Sequence, residues 1–135
     1  MKNKKKIVAV EDNASNLPVI RVLLKPVYEV YPATSAYKLF ELLEKQIPDL
    51  ILMDINMPEM NGFEAIVKLK EDPVYMNIPV VFLTARDDDA SAERAIDLGA
   101  IDYVTKPFSG PLLLRRISNI LLIEQLKREL QKHNH

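Results

Sequence analysis

Carboxylate, hydroxyl and amine side chains stand at the ends of four short apolar segments of the sequence. Glu11 and Asp12 end the first segment, Asp54 the third and Thr84 the fourth, and Lys106 comes just after the fifth. If these segments are strands of one parallel sheet, their carboxyl ends meet at a shared edge, which is where ligands bind in such sheets. Each residue alone fits an ordinary solvated surface, so their joint placement supports the functional interpretation.

The three acidic residues predict a metal site. Neighbouring carboxylates repel one another and stay ionised together only beside a counter-charge, for which a divalent cation is the simplest choice. The chain has no cysteine and no histidine near these positions, so the donors are all oxygen. This favours Mg²⁺ over zinc or copper, with Mn²⁺ as a substitute and the backbone carbonyl of Asn56 as a further ligand beside water. Because such a cation neutralises charge on a transferring group, the site suits a phosphoryl ligand.

Short apolar runs alternate with longer amphipathic stretches, which is typical of repeated βα units. Strands rich in β-branched and aromatic residues are expected at 7–10, 28–31, 50–53, 80–83 and 101–104. Helices are expected at 16–25, 35–46, 62–71 and 90–98, and from residue 110 onward. The third and fourth runs are apolar on both faces, as expected of central strands. The sequence therefore predicts an α/β domain with a doubly wound, five-stranded parallel sheet.

Local signals support these helix boundaries. Ser15 is expected to cap the first helix, and Pro18 is tolerated near its start because an amide there has no intrahelical carbonyl to bond. Gly99 follows the fourth helix, at a position where a left-handed residue ends many helices and where glycine meets no steric penalty.

Length and composition describe one ordinary globular domain. The chain has 135 residues, of which 48% are hydrophobic and 27% charged, and this excludes a disordered chain, a collagen-like repeat and a membrane bundle. We expect neither a signal peptide nor a membrane helix, because no apolar stretch approaches the roughly 18 residues needed to span a bilayer. The formal net charge of −1 gives no reason to expect direct nucleic-acid binding.

The last helix is expected to have two parts. Its first part carries a core-facing stripe and belongs to the domain, which is expected to span residues 5–122. Residues 120–123 are apolar all round and so need two buried faces. Residues 123–135 are expected to extend the helix as a coiled-coil linker, since apolar positions recur there at spacings of three and four: Ile123, Leu126 and Leu130. A fraying helix end and a dimer or inter-domain seam both remain open.

Four short motifs occur in a distinctive order. They are Val10-Glu11-Asp12-Asn13, Met53-Asp54-Ile55-Asn56-Met57-Pro58, Leu83-Thr84-Ala85 and Tyr103-Val104-Thr105-Lys106-Pro107-Phe108. With them the sequence resembles the receiver domains of bacterial two-component response regulators. The resemblance implies a flavodoxin-like fold of five βα units and a cytoplasmic location. It also implies phosphoryl transfer from a sensor histidine kinase, a phosphotransfer protein or a small phosphodonor, with a switch on the surface formed by the fourth helix, fifth strand and fifth helix.

The resemblance assigns a role to each candidate residue. Asp54 would be the phosphoacceptor and a metal ligand, Asp12 a direct Mg²⁺ ligand, Glu11 an outer ligand acting through water, and Asn56 a ligand through its carbonyl. Thr84 would bond a phosphoryl oxygen, and Lys106 would pair with the phosphoryl group. Position 11 holds Glu where many members have Asp, a difference that bears on metal affinity more than on mechanism.

Three further expectations follow from the same resemblance. Tyr103 would be the aromatic ring that swings between exposed and buried positions. The Lys106–Pro107 peptide bond would be cis, although the residues alone leave an ordinary helix-start proline equally open. Asn56 and Arg86 line the approach to the phosphoryl group and are expected to influence its lifetime.

Two other functions fit part of the pattern. A haloacid-dehalogenase-type phosphatase also places an aspartyl nucleophile after an apolar strand, but it needs a second Asp where this chain has Asn56, which cannot act as a general acid. A receiver-shaped interaction module that accepts no phosphate has no physical need for clustered acids. We therefore expect a signalling phosphoacceptor rather than an enzyme. A stand-alone regulator remains open, but the apolar seam on the last helix favours a receiver whose output domain is missing from this chain, with a homodimer formed through that helix.

Overall fold

Strands and helices alternate along the whole computed structural model, which describes residues 4–85, 89–107 and 109–133. The elements in chain order are β1 (Lys6–Val10), α1 (Asn16–Leu24), β2 (Glu29–Ala33), α2 (Ala36–Lys45), β3 (Leu50–Asp54), α3 (Gly62–Glu71), β4 (Val80–Thr84), α4 (Asp89–Asp97), β5 (Asp102–Thr105) and α5 (Gly110–His133). All strand pairs are parallel, and the strand order is β2-β1-β3-β4-β5. The predicted α/β class and five-stranded parallel sheet are confirmed.

Helices cover both faces of the sheet. Buried residues of α1 and α5 pack together on one face, and those of α2, α3 and α4 pack on the other. Every residue of β3 and β4 is buried, as their two-sided apolar sequences predict. On the second face, the rings of Phe63 and Phe82 meet edge to face at 5.9 Å, and the Arg94 guanidinium lies 4.5 Å from the Phe63 ring centroid. These contacts join α3, β4 and α4.

Some strands end later than the apolar pattern predicts. Asp54 and Thr84 are the last paired residues of β3 and β4, opposite Leu83 and Thr105 respectively. β2 and β5 begin one residue later than expected, at Glu29 and Asp102. Hydrophobic periodicity does not detect a polar residue that stays in the ladder at a strand end, so the apolar runs 50–53 and 80–83 are each one residue shorter than β3 and β4, which end at the predicted site residues.

The two predicted helix-end signals have different outcomes. The cap expected at Ser15 is wrong, because Ser15 has helical dihedral angles and its side chain makes no capping hydrogen bond. Asn13 acts there instead: its side-chain oxygen accepts from the Ser15 amide at 2.8 Å, and its carbonyl accepts from the Asn16 amide at 3.1 Å. The prediction for Gly99 is confirmed, since its φ is 111° and its amide bonds the Ile96 carbonyl.

Helix α5 changes character along its length. Leu113 and Ile117 are fully buried, as the core-facing stripe predicts. Residues 120–123 are buried on one side only, because Leu122 and Ile123 are 55% and 49% exposed. Leu126 and Leu130 continue this exposed apolar surface. None of the helices in the described part of the chain is long and apolar enough to cross a membrane.

Candidate functional site

The carboxyl edge of the sheet brings the predicted acidic residues together. β1 lies beside β3, so the residues that follow Val10 meet the end of β3 at Asp54. One carboxylate oxygen from each of Glu11, Asp12 and Asp54 lies within 4.8 Å of the other two. Glu11 and Asp54 are buried, whereas Asp12 is exposed to solvent. The cluster is therefore anchored in the sheet and open on one side.

Lys106 supplies positive charge to this cluster. Its Nζ lies 3.1 Å from Asp54 Oδ2, and 3.3 Å and 3.4 Å from the two Glu11 carboxylate oxygens. The Lys106 amide donates to the Thr84 carbonyl at 2.8 Å, which fixes the start of the β5–α5 loop against the end of β4. The peptide bond from Lys106 to Pro107 is cis.

Burial disfavours the negative charge of Glu11, which is 1% exposed. Desolvation is the largest effect and raises the pKa of its carboxyl group, and the neighbouring Asp54 raises it further. Two donors oppose these effects: Asn16 Nδ2 donates to Glu11 Oε1 at 2.7 Å, and Lys106 contributes its positive charge. The net upward shift of this pKa means that the charged form of Glu11 is disfavoured in the folded site, and a further positive charge there would stabilise it.

The β3–α3 loop folds back over the strand end. The Asn56 amide donates to Asp54 Oδ1 at 3.2 Å and so helps to orient the carboxylate, and the Gly62 amide donates to the Ile55 carbonyl at 2.8 Å. Asn61 and Glu64 form a reciprocal capping box that fixes the start of α3. The loop thus places backbone groups beside Asp54.

Gly62 is a structural requirement of this loop. A Cβ atom built at this position would lie 2.7 Å from Phe82 Cε1 and 2.8 Å from the carbonyl oxygen of Asp54. Both distances are shorter than real Cβ contacts, and one of them is to backbone that cannot give way easily. Only glycine allows α3 to begin this close to the phosphoacceptor candidate.

Thr84 and Tyr103 lie on neighbouring strands. Thr84 is 2% exposed, and its Oγ1 is the one buried side-chain nitrogen or oxygen of the described residues that finds no hydrogen-bond partner. Tyr103 is half-buried and borders a cavity of about 340 Å³ that is lined also by Ala92 and Ile96 of α4. The Thr84 hydroxyl is thus available to bond a ligand at the sheet edge. Arg86, the remaining candidate, lies outside the described residues.

Sequence analysis did not predict the positioning role of four residues at this site. Asn16 bonds Glu11, the Asn61–Glu64 pair caps α3, and Gly62 allows the close approach of that helix. The spacing Asn-x-x-Glu before an apolar stretch is a helix-start signal that could have revealed the capping box. No local signal marks Asn16, because it contacts Glu11 only through the geometry of the β1–α1 loop.

The donor set of this site fits a hard divalent cation. Glu11, Asp12 and Asp54 could hold such an ion with oxygen ligands alone, and the exposed side at Asp12 leaves room for water. Magnesium prefers few carboxylates together with water, which matches this open arrangement.

Comparison with known proteins identifies the class. A family model described as response regulator receiver domain matches residues 7–118, so this chain belongs to that family. Members act in two-component phosphorelay signalling, and phosphoaspartate formation and Mg²⁺ binding are typical of them. Receiver domains interact with histidine kinases and with output domains.

Two curated relatives are much longer than this chain. A probable cyclic di-GMP phosphodiesterase from Vibrio cholerae is 37% identical over 95% of this chain and 29% of its own length. The response regulator PleD from Caulobacter vibrioides is 33% identical over 91% of this chain and 28% of its own length. The chain thus spans less than a third of these curated relatives.

Solved structures agree with the fold. A response regulator receiver domain protein from Clostridium thermocellum superposes with a TM-score of 0.83 at 26% identity, covering 90% of this chain and 98% of that one. The receiver domain of a Pseudomonas aeruginosa sensor histidine kinase, with a magnesium ion in its active-site cleft, has a TM-score of 0.80 at 28% identity, covering 87% and 98%. The flavodoxin-like receiver fold expected from the resemblance is confirmed.

Proposed function

We propose that this receiver domain accepts a phosphoryl group on Asp54 in a Mg²⁺-dependent reaction. The observation that carries the proposal is the contact of Lys106 Nζ with Asp54 at 3.1 Å and with Glu11 at 3.3 Å, beside the exposed Asp12. One ammonium group does not balance three carboxylates, so the site retains negative charge for a divalent cation to neutralise. The donor would be a sensor histidine kinase, a phosphotransfer protein or a small phosphodonor.

The metal ligands follow from how the acidic residues are engaged. Both oxygens of Glu11 already accept hydrogen bonds, from Asn16 and from Lys106, which supports an outer role through water. Asp12 and Asp54 would coordinate the ion directly, and the Asn56 carbonyl would complete the protein ligands. When bound, Mg²⁺ or its substitute Mn²⁺ neutralises charge on the transferring phosphoryl group.

Transfer to Asp54 needs no general base. One Asp54 carboxylate oxygen forms a bond to phosphorus while the bond from phosphorus to the donor nitrogen or oxygen breaks, and the bonding electron pair leaves with the donor. Lys106 compensates the negative charge that accumulates on the phosphoryl oxygens. The backbone amide of Asn56 donates to Asp54 Oδ1 and so keeps the attacking carboxylate oriented.

Phosphorylation would be read out through Thr84 and Tyr103. A phosphoryl group adds nearly two negative charges and strong acceptor oxygens, for which the unpartnered Thr84 hydroxyl is a ready donor. Movement of Thr84 toward it would open space for the Tyr103 ring at the surface of α4, β5 and α5. The claim fails if a phosphoryl mimic bound with Mg²⁺ leaves the Thr84 loop and the Tyr103 ring where they are in the free protein. Asn56 and Arg86 would influence how long the phosphoryl group survives, which substitution at each position followed by dephosphorylation kinetics would test.

Helix α5 supports a partner proposal. The exposed residues Ile123, Leu126 and Leu130 recur at spacings of three and four, which fits a coiled-coil seam with a second copy of this chain. Phosphorylation would strengthen this dimer and so control an output domain. Sedimentation that shows a monomer at every concentration in both phosphorylation states would refute this part.

The rival functions explain less of the site. Asn56 stands where a phosphatase of the haloacid-dehalogenase type needs its general acid, and the amide group cannot donate a proton to a leaving group. A phosphorylation-independent interaction module would leave unexplained why three acidic residues and Lys106 converge on one sheet edge.

Intact-mass measurement after incubation with acetyl phosphate tests the proposal. We expect one phosphoryl adduct on the wild type that requires Mg²⁺ and is absent from Asp54→Asn. Asp49→Asn is the matched control, because Asp49 precedes the same strand at its opposite end and its amide replacement can still accept the Lys6 hydrogen bond. This control should be phosphorylated like the wild type. No adduct on folded, Mg²⁺-bound wild type, or an adduct that persists on Asp54→Asn, would refute the assignment.

A further inference from the structure

A second concave site lies at the amino edge of the sheet, opposite the acidic cluster. It is a cleft of about 640 Å³ between the residues that lead into β4 and β5 and the C-terminal part of α5. This volume falls within the range of small-molecule sites, roughly 300–1,000 Å³. The proposed phosphorylation chemistry uses none of the residues that line it.

Positive charge converges on this cleft from two directions. Lys70 at the end of α3 forms one wall, and Lys127 and Arg128 of α5 form the other. Glu124 is the one carboxylate among the lining residues. The cleft therefore has an excess of cationic groups on facing walls, an arrangement that suits an anion carrying more than one charge.

Lys70 is held in place rather than mobile in solvent. Its Nζ donates to the Met76 carbonyl at 3.0 Å, and its alkyl chain crosses Gly99 so closely that a Cβ there would lie 3.0 Å from Lys70 Cε. Burial lowers the pKa of this ammonium group, and Glu124 only partly offsets the effect. An anion in the cleft would stabilise the charged form.

Apart from the polar Asn77 and Gln131, the rest of the lining is apolar, and part of it lies on paired backbone. Ile78, Pro79 and Ile101 form this part, next to the first residues of β4 and β5. The Ile101 amide donates to the Val80 carbonyl at 2.9 Å, which ties the two strand starts together. A planar or apolar group can therefore lie on this surface while its charged end faces the cations.

We propose that this cleft binds a small molecule that joins a planar apolar moiety to two or more phosphate charges. Lys70, Lys127 and Arg128 would contact the phosphates, and the apolar wall would accept the remainder. Because the cations come from both α3 and α5, such a ligand would also hold the C-terminal part of α5 against the domain.

Amide NMR titrations of the full chain with ADP, inorganic pyrophosphate and adenosine test this proposal. A chelator removes divalent cations, so that the anions cannot bind through a metal ion at the acidic cluster on the opposite edge. We expect ADP to cause saturable shifts at Gly99, Ala100 and Ile101, and pyrophosphate to do so at the same amides. Tighter binding of ADP than of pyrophosphate supports a ligand with a planar apolar moiety, and equal binding of the two would overturn that assignment because the apolar wall would contribute nothing.

Charge-removing variants distinguish specific binding in the cleft from non-specific electrostatic attraction to the protein. Lys127→Gln and Arg128→Gln should each weaken ADP binding about tenfold, whereas Lys132→Gln, a matched change on the same helix outside the cleft, should leave it unchanged. Equal weakening by all three variants would overturn the proposal, since it would indicate non-specific electrostatics. No saturable shift with ADP or pyrophosphate, or adenosine binding as tightly as ADP, would overturn it as well.

Discussion

Replacement of Thr84 by valine should stabilise the unphosphorylated protein. The two side chains have nearly the same shape, so the substitution leaves no cavity among the buried residues around the end of β4. It removes the Thr84 hydroxyl, which has no hydrogen-bond partner among the described residues. The residue that carries it is only 2% exposed. Burying such a group without a partner costs about 1–3 kcal/mol, which valine would recover.

The size of the effect follows from this cost. Taking the lower half of that range, the free energy of unfolding should rise by about 1–2 kcal/mol. With an unfolding entropy of about 2.1 cal/mol/K per residue, each kcal/mol corresponds to about 3–4 °C in a domain of this length. Thr105→Val is the matched control, because Thr105 pairs with Thr84 on the neighbouring strand but is exposed. The control should change stability by less than about 0.5 kcal/mol.

Thermal unfolding with and without Mg²⁺ and beryllofluoride, a phosphoryl mimic, completes the test. Wild type should gain more stability from the mimic than Thr84→Val does, because only the wild type has the hydroxyl to donate to it. If Thr84→Val destabilises the free protein by 1 kcal/mol or more, the hydroxyl is already satisfied and the reasoning is wrong. An equal gain from the mimic in both proteins would refute the role of Thr84 as a donor.

Three other substitutions test the packing and the charges described above. Gly62→Ala should destabilise the domain by about 1–3 kcal/mol in denaturant titrations, since its Cβ meets Phe82 and the backbone of β3. Glu11→Gln should raise the stability of the metal-free protein at pH 7. The folded-state pKa of Glu11 is raised, so the unfolded chain ionises first and wild-type stability falls as pH rises from the unfolded-state pKa to the folded-state pKa; the advantage of the variant should be complete above this window and vanish below it. Tyr28→Phe should lower the free energy of unfolding by about 1 kcal/mol, because it loses the hydrogen bond to the Ser118 side chain of α5. The control Tyr37→Phe, at an exposed tyrosine, should leave the stability unchanged. Burial also raises the pKa of Tyr28, so wild-type stability should decline above pH 10, where the unfolded chain ionises first, and the variant should lack this decline.

Much of the site could be predicted from sequence because parallel topology brings strand ends together. Once the apolar runs are assigned to parallel strands, Glu11, Asp54 and Thr84 must lie near the same edge whatever the loops do. The buried interior of β3 and β4 followed from the same pattern. These features depend on periodicity, which short stretches of sequence report directly.

The features that escaped prediction depend on loop geometry. Ser15 looked like a helix cap, but Asn13 takes that role because its side-chain oxygen reaches an amide two residues ahead. Asn16 bonds Glu11 only because α1 starts close to the end of β1. The requirement for glycine at position 62 comes from Phe82 and the β3 backbone, which are distant in sequence or on another element. Such contacts carry no signature in local residue spacing.

The contacts around β4 and β5 restrict which parts of the domain could move if Asp54 were phosphorylated. The Thr84 carbonyl accepts the Lys106 amide, so the end of β4 is tied to the chain that follows β5. Arg116 of α5 bonds both Asp102 and the Tyr103 carbonyl, so the backbone of β5 is held as well. The Tyr103 ring borders a cavity beside α4, which leaves space into which it could move. Since a packed sheet resists continuous deformation, we expect phosphorylation to move side chains and the loop at this edge while the sheet itself stays in place.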